Sequence, residues 1–105
     1  MTADVAAVAD PNTGVAVYGP LSAQSSGWFV LGGTSVATPV IGGVFANNGG
    51  PVNAASSLYA NPGALNDVTS GSNGSCPNKP AYYCNGEVGY DGPTGLGTPN
   101  GTTAF

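Results

Sequence analysis

Apolar residues come in short blocks divided by turn-forming residues, and the period of the blocks changes along the chain. DVAAVAD, Asp4 to Asp10, reads as a strand or a buried extended segment. PNTG, Pro11 to Gly14, reads as a turn, because Pro presets φ and Gly accepts a positive φ. VAVYG, Val15 to Gly19, then returns as a second strand, so a hairpin is expected between these two runs. Pro20 to Gly27 reads as a polar loop, and WFVL, Trp28 to Leu31, as a buried strand. After Gly32-Gly33 the period becomes helical, with Val36, Val40, Ile41, Val44 and Phe45 on one face. Pro39 is expected in the first turn, where its missing N–H costs nothing. Gly42 and Gly43 would each weaken this helix by about 1 kcal/mol relative to Ala, which makes sense if another backbone packs closely there. NNGG, Asn47 to Gly50, ends it. A second, weaker helix is expected over Asn53 to Ala60, stopped by Asn61-Pro62-Gly63. From Ala64 onward the pattern is mostly loop. No internal repeat occurs, and strands followed by helices point to an α/β or mixed sheet.

The chain has 105 residues, enough for one small domain. Its 18 Gly and 9 Pro approach the level of low-complexity disorder, but aromatic residues set within the apolar runs argue for a loop-rich globular piece. Only six residues are charged, for a net charge of -4. With one Lys and no Arg nothing neutralises phosphates, which excludes nucleic-acid binding and removes the usual attraction to anionic membranes. Acid denaturation works largely by protonating paired carboxylates. A chain with so few of them suits an acidic, extracellular setting.

Cys76 and Cys84 flank the loop PNKPAYY. Two thiols at this spacing, without His, make a poor metal site. A disulfide is expected instead, worth about 2–3 kcal/mol in the chain-entropy model, and it implies an oxidising compartment. No apolar run reaches the ~18 residues of a membrane span. No basic segment precedes an apolar stretch as in a signal peptide. A secreted-looking chain without an export signal is expected to be a piece of something larger.

Ser35 stands where the WFVL strand hands over to the helix. The ordinary role for a serine there is to cap the helix. Two glycines that let backbone approach closely add a second possibility. Free N–H groups and the positive helix end would stabilise a developing oxyanion, so Ser35 has the layout of a nucleophile. The chain has no His to act as its base.

The run Gly33-Thr34-Ser35-Val36-Ala37-Thr38-Pro39 resembles the G-T-S-x-A-x-P motif around the nucleophile of subtilisin-like serine peptidases. Leu65 to Gly71, Gly89 to Pro99 and the opening DVAAVADPNTGVAVY resemble the end of the catalytic domain of the sedolisins, the serine-carboxyl peptidases of that fold. The resemblance implies an α/β fold: the C-terminal portion of a subtilisin-like parallel sheet. Strands and the nucleophile helix would occupy residues 1–62, and a calcium-binding loop region residues 63–105. It implies Ser35 as catalytic residue within the motif Gly33, Thr34, Ser35. The family's base is a glutamate oriented by an aspartate, with a further aspartate in the oxyanion hole, which suits low pH better than an imidazole. All three precede the portion matched here, and Glu87 does not occupy the base position.

The family also binds calcium in this segment. By resemblance its ligands would be the carboxylates of Asp67 and Asp91 and the carbonyls of Val68, Glu87 and Gly89. Glu87 stands where the family usually has Gly, so a positive φ there would be strained. From the residues alone, Asp67, Glu87 and Asp91 read first as solvated loop acids, which is what three acids in a polar loop most often are. The expected partners are a peptide or protein substrate and the N-terminal remainder of the peptidase domain, with no nucleic acid and no membrane. Two other readings are a non-catalytic calcium-binding or degenerate fragment and a piece of a subtilisin with a His-based triad. Trp28 and Tyr90 read as packing residues. Asn73-Gly74-Ser75 and Asn100-Gly101-Thr102 match the glycosylation tripeptide.

Overall fold

The structure is a computed structural model and describes residues 3–51 and 53–105. Helices and strands are mixed. The long elements are strands β1 (Val15–Ser22) and β2 (Ser25–Leu31), then helices α1 (Thr34–Asn48) and α2 (Ala54–Ala60). Two short strands follow, β3 (Leu65–Asn66) and β4 (Thr98–Pro99), and single 3₁₀ turns occupy Pro11–Thr13, Pro62–Ala64 and Ala81–Tyr83. Both strand pairs are antiparallel, β1 with β2 and β3 with β4. A parallel sheet is not among the described pairings.

Two compact units divide within α1, between Val40 and Ile41. The first is Ala7–Val40. Its hairpin differs from the one the turn chemistry suggested. PNT coils into a 3₁₀ turn capped by Asp10, and Val15–Ser22 pairs forward with Ser25–Leu31. The supposed polar loop from Pro20 to Gly27 thus supplies strand ends and a tight turn at Ala23-Gln24. Ser22 Oγ holds that turn, 3.0 Å from Ser25 Oγ and accepting from Gln24 N–H at 3.3 Å. The register slips between Pro20 and Ser22, where Pro20 has no N–H to give to a ladder. Val17 opposes Phe29 and Tyr18 opposes Trp28, the latter rings edge-on at 5.4 Å. Apolar residues therefore stand on both faces of the ribbon. The WFVL strand forms but is not buried: Trp28 is 71% and Val30 57% exposed. No residue of this unit is buried.

The second unit combines the described residues up to Ala6 with Ile41–Phe105. Its core is Leu58, Leu65, Ala104 and Phe105, with Val5, Ile41, Val44, Phe45, Ala64 and Leu96 packed around them. The Phe45 and Phe105 rings meet edge-on at 4.9 Å, a geometry worth about 0.5–1.5 kcal/mol beyond the area buried. Asn61 ends α2 as expected: its N–H donates to Leu58 and Ser57 carbonyls, and its side chain donates to the Ser57 carbonyl. The stretch Asp4 to Asp10 is not a strand. In this unit Asp4 accepts from Leu96 N–H and Ala6 N–H donates to Gly97, both at 2.9 Å. These loop contacts absorb the backbone groups that a strand partner would have used.

Two expectations about α1 are corrected. Pro39 is the sixth residue of the helix, beyond the first turn. It removes the N–H that would bond the Ser35 carbonyl. Gly42 and Gly43 face open space, with nothing within 4 Å of where a side chain would begin, so among the described residues no backbone packs against them.

Candidate functional site

Ser35 is the second residue of α1 and is exposed. The cap position before the helix falls to Gly33, whose carbonyl accepts from Val36 N–H at 2.9 Å and Ala37 N–H at 3.1 Å. Ser35 therefore does not cap the helix. Its hydroxyl makes no hydrogen bond among the described residues, and the N–H groups of Thr34 and Ser35 have no acceptor there. Gly33 has φ +117°, a conformation that favours glycine. Its N–H donates to the Ala9 carbonyl at 2.6 Å. Gly32 meets the expected close backbone approach: a side chain there would run into Pro11 and Asp10. The local product is an outward-facing hydroxyl over unsatisfied N–H groups at the positive end of a helix. No carboxylate or imidazole acts on it among the described residues.

In the second unit, Asp67 and Asp91 bind the same turn from two sides. Asp67 Oδ2 accepts from Gly89 N–H at 2.8 Å. Asp91 is fully buried. Its Oδ2 accepts from Glu87 N–H at 3.0 Å, and its Oδ1 from Thr94 N–H at 2.8 Å and Thr94 Oγ1 at 2.9 Å. A buried carboxylate is tolerable when hydrogen-bonded in this way. The Val68 carbonyl crowds the same segment, 2.9 Å from where a side chain on Gly86 would begin. Gly89 takes a positive φ of 89°, whereas Glu87 does not, so Glu87 sits there without strain.

Carboxylate and carbonyl oxygens are the kind of ligand that calcium accepts. No group of three or more His, Cys, Asp or Glu side chains comes together as a metal cage among the described residues. The Glu87 side chain is thus not a third carboxylate, and an ion would depend on carbonyls. The Asp67 and Asp91 carboxylates and the Val68 carbonyl near this turn are of the donor class that calcium takes.

Cys76 and Cys84 form a disulfide, with Cα atoms 5.9 Å apart. It closes the end of a short ladder in which Asn73 N–H bonds the Cys84 carbonyl and Gly86 N–H the Gly71 carbonyl. That ladder leads directly into the Glu87–Asp91 turn. A disulfide is consistent with an extracellular location. No helix among the described residues is long and apolar enough to cross a membrane.

Two proteins give sequence matches. A tripeptidyl-peptidase, SED1, from Arthroderma otae is 48% identical over 79 residues, covering 65% of this chain and 11% of that protein. Aorsin from Aspergillus oryzae is 38% identical over 78 residues, covering 66% of this chain and 12% of that protein. Part of this chain is homologous to part of a tripeptidyl-peptidase. The chain spans only about a tenth of the length of these relatives. No family model and no solved structure matches.

Sequence reasoning missed the role of the Asp10 turn beneath Gly32-Gly33. The signal was present in the spacing Asp10-x-Asn12, a side chain that accepts from the backbone two residues on. It also missed Thr94, which donates twice to Asp91.

Proposed function

We propose that this chain is the nucleophile-bearing and calcium-binding part of an acid-active serine peptidase of the sedolisin family, in which a subtilisin-like parallel sheet is completed by the rest of the domain. The observation that carries this reading is Ser35: exposed, uncapped, and set above free N–H groups at the start of a long helix. The homology to part of a tripeptidyl-peptidase supports it.

Ser35 Oγ attacks the scissile carbonyl carbon and passes its proton to a carboxylate base supplied by the remainder of the domain. The oxyanion is stabilised by the Ser35 N–H. Collapse of the adduct expels the amine, which takes the proton back from the base, and water then hydrolyses the acyl-enzyme by the same route. A carboxylate base operates at acid pH, where an imidazole would be protonated. Without that base the 105-residue chain has little or no activity.

Calcium would be held by the Asp67 and Asp91 carboxylates and the Val68, Glu87 and Gly89 carbonyls. The ion would supply positive charge to these carboxylates and tie the Asp67 segment to the late turn, a structural role. A thermal melt of this chain with calcium rises above the melt with chelator, and Asp67→Ala abolishes the difference. Equal melts in wild type would remove the ion from the proposal.

The test of the catalytic reading uses the complete peptidase that contains this chain. Ser35→Ala lowers peptide hydrolysis at acid pH by several orders of magnitude and leaves the melting temperature unchanged. Retained hydrolysis would refute the reading. Peptides with blocked and free N-termini decide whether cleavage is internal or releases tripeptides, as the name of the Arthroderma relative suggests.

A further inference from the structure

We infer that Asp10 is a positioning residue for the nucleophile, acting through the turn it caps; the inference rests on Ser35 being that nucleophile. A series of contacts within the Ala7–Val40 unit leads from Asp10 to Gly33, the residue before the Thr34-Ser35 start of α1. Asp10 Oδ1 accepts from both Asn12 N–H and Asn12 Nδ2, each at 2.9 Å, and the Asp10 carbonyl accepts from Thr13 N–H at 3.1 Å. These bonds fix the 3₁₀ turn Pro11–Thr13.

That turn lies directly under the strand-to-helix junction. Pro11 touches Gly32 so closely that a side chain on Gly32 would collide with the Pro11 backbone. On the far side of the turn, a side chain on Gly14 would collide with the Leu31 carbonyl. On the near side, the Ala9 carbonyl receives the Gly33 N–H at 2.6 Å. Residues 31–33 are thus clamped at three successive positions by residues 9–14. Gly33 is then held from both ends, its N–H by Ala9 and its carbonyl by Val36 and Ala37 N–H. The direction in which α1 starts, and with it the bearing of Ser35 Oγ and N–H, is set by this clamp.

Asp10 touches no reacting atom. Its loss loosens the turn, and the hydroxyl and the oxyanion donor drift together from the reacting carbonyl. A misplacement of about 1 Å costs on the order of 100-fold in rate. Such a loss falls on kcat, because remote substrate contacts are untouched.

The experiment measures Asp10→Ala, Asp10→Asn and Ser35→Ala in the complete peptidase, with active sites titrated by a fluorophosphonate. Asp10→Ala is expected to lower kcat per titrated site by about 10- to 100-fold, with KM within about twofold. Asp10→Asn, whose side-chain oxygen still accepts from Asn12 N–H, recovers most of that loss. The inference is overturned if Asp10→Ala leaves kcat per site unchanged and only reduces the number of titratable sites. That result would make Asp10 merely structural. It is also overturned if Asp10→Asn is as impaired as Asp10→Ala, since charge and not turn geometry would then matter. An active Ser35→Ala would instead bring down the nucleophile reading, and this inference with it.

Discussion

The two units of this chain treat apolar surface in opposite ways. Residues Ile41–Phe105, with the segment up to Ala6, bury a small core around Leu58, Leu65, Ala104 and Phe105 and hold one fully buried carboxylate, Asp91. Residues Ala7–Val40 carry Val15, Tyr18, Leu21, Trp28 and Val30 and bury none of them. The Ile41–Phe105 unit has a stabilising interior of its own. The sheet of the Ala7–Val40 unit is a two-stranded ribbon with apolar faces and open edges, which is marginal by itself in water. Under the proposed function, the peptidase remainder covers the ribbon. The unit that carries Ser35 is therefore the one that depends most on what lies outside this chain.

The contrast can be broken at several points, the largest effect first. Phe105→Ala should destabilise the core unit by about 3–5 kcal/mol, and Trp28→Ala in this chain by no more than about 0.5 kcal/mol, both read from denaturant melts. Comparable losses would mean that the ribbon is packed in solution. Reduction of Cys76–Cys84 should remove about 2–3 kcal/mol and raise amide exchange in residues 71–91, with no change in residues 15–31. Asp91→Ala leaves the Glu87 and Thr94 donors without an acceptor and should cost about 1–3 kcal/mol, again confined to the core unit by exchange.

The smallest effect is a pH dependence. Partial burial, then the hydrogen bond to Asp4, raises the Tyr59 phenol above its ordinary value of 10.0. The folded state keeps this proton after the unfolded chain has lost it. Its stabilisation is complete below the unfolded value and is lost as pH rises through the folded one. Tyr59→Phe should reduce the alkaline loss of stability measured in melts above pH ~10.

The sequence made some of this legible. The change of period after Gly33 located α1, and Asn61-Pro62 located the end of α2, because these signals are local. The cysteine pair was legible for the same reason. The hairpin was misread because PNTG has good turn chemistry, whereas the true turn, Ala23-Gln24, carries no Gly or Pro. Asp10 captured the Pro11 turn for a 3₁₀ coil and left Val15 free to pair forward. Burial of WFVL was misread because apolar, β-branched residues announce that a strand should be covered without saying by what. Pro39 was placed a turn too early, since nothing local distinguishes a helix that starts at Thr34 from one that starts later. For the candidate site, the motif pointed to Ser35, whereas the bonds of Asp10 and Thr94 are contacts that only the folded backbone reveals.

The bonds that join Asp4 and Ala6 to Leu96 and Gly97, and Tyr90 to Ala3 across 87 residues, also dictate an order of events in time. Contacts between such distant residues are slow to form, because closing the intervening loop costs entropy before any contact offsets it. During synthesis at about 5–20 residues per second, residues 3–6 wait several seconds for their partners. The hairpin Val15–Leu31 has its whole ladder available long before. The weaker unit is thus the first able to take shape, whereas the core unit must wait for residues at both ends of the chain to meet.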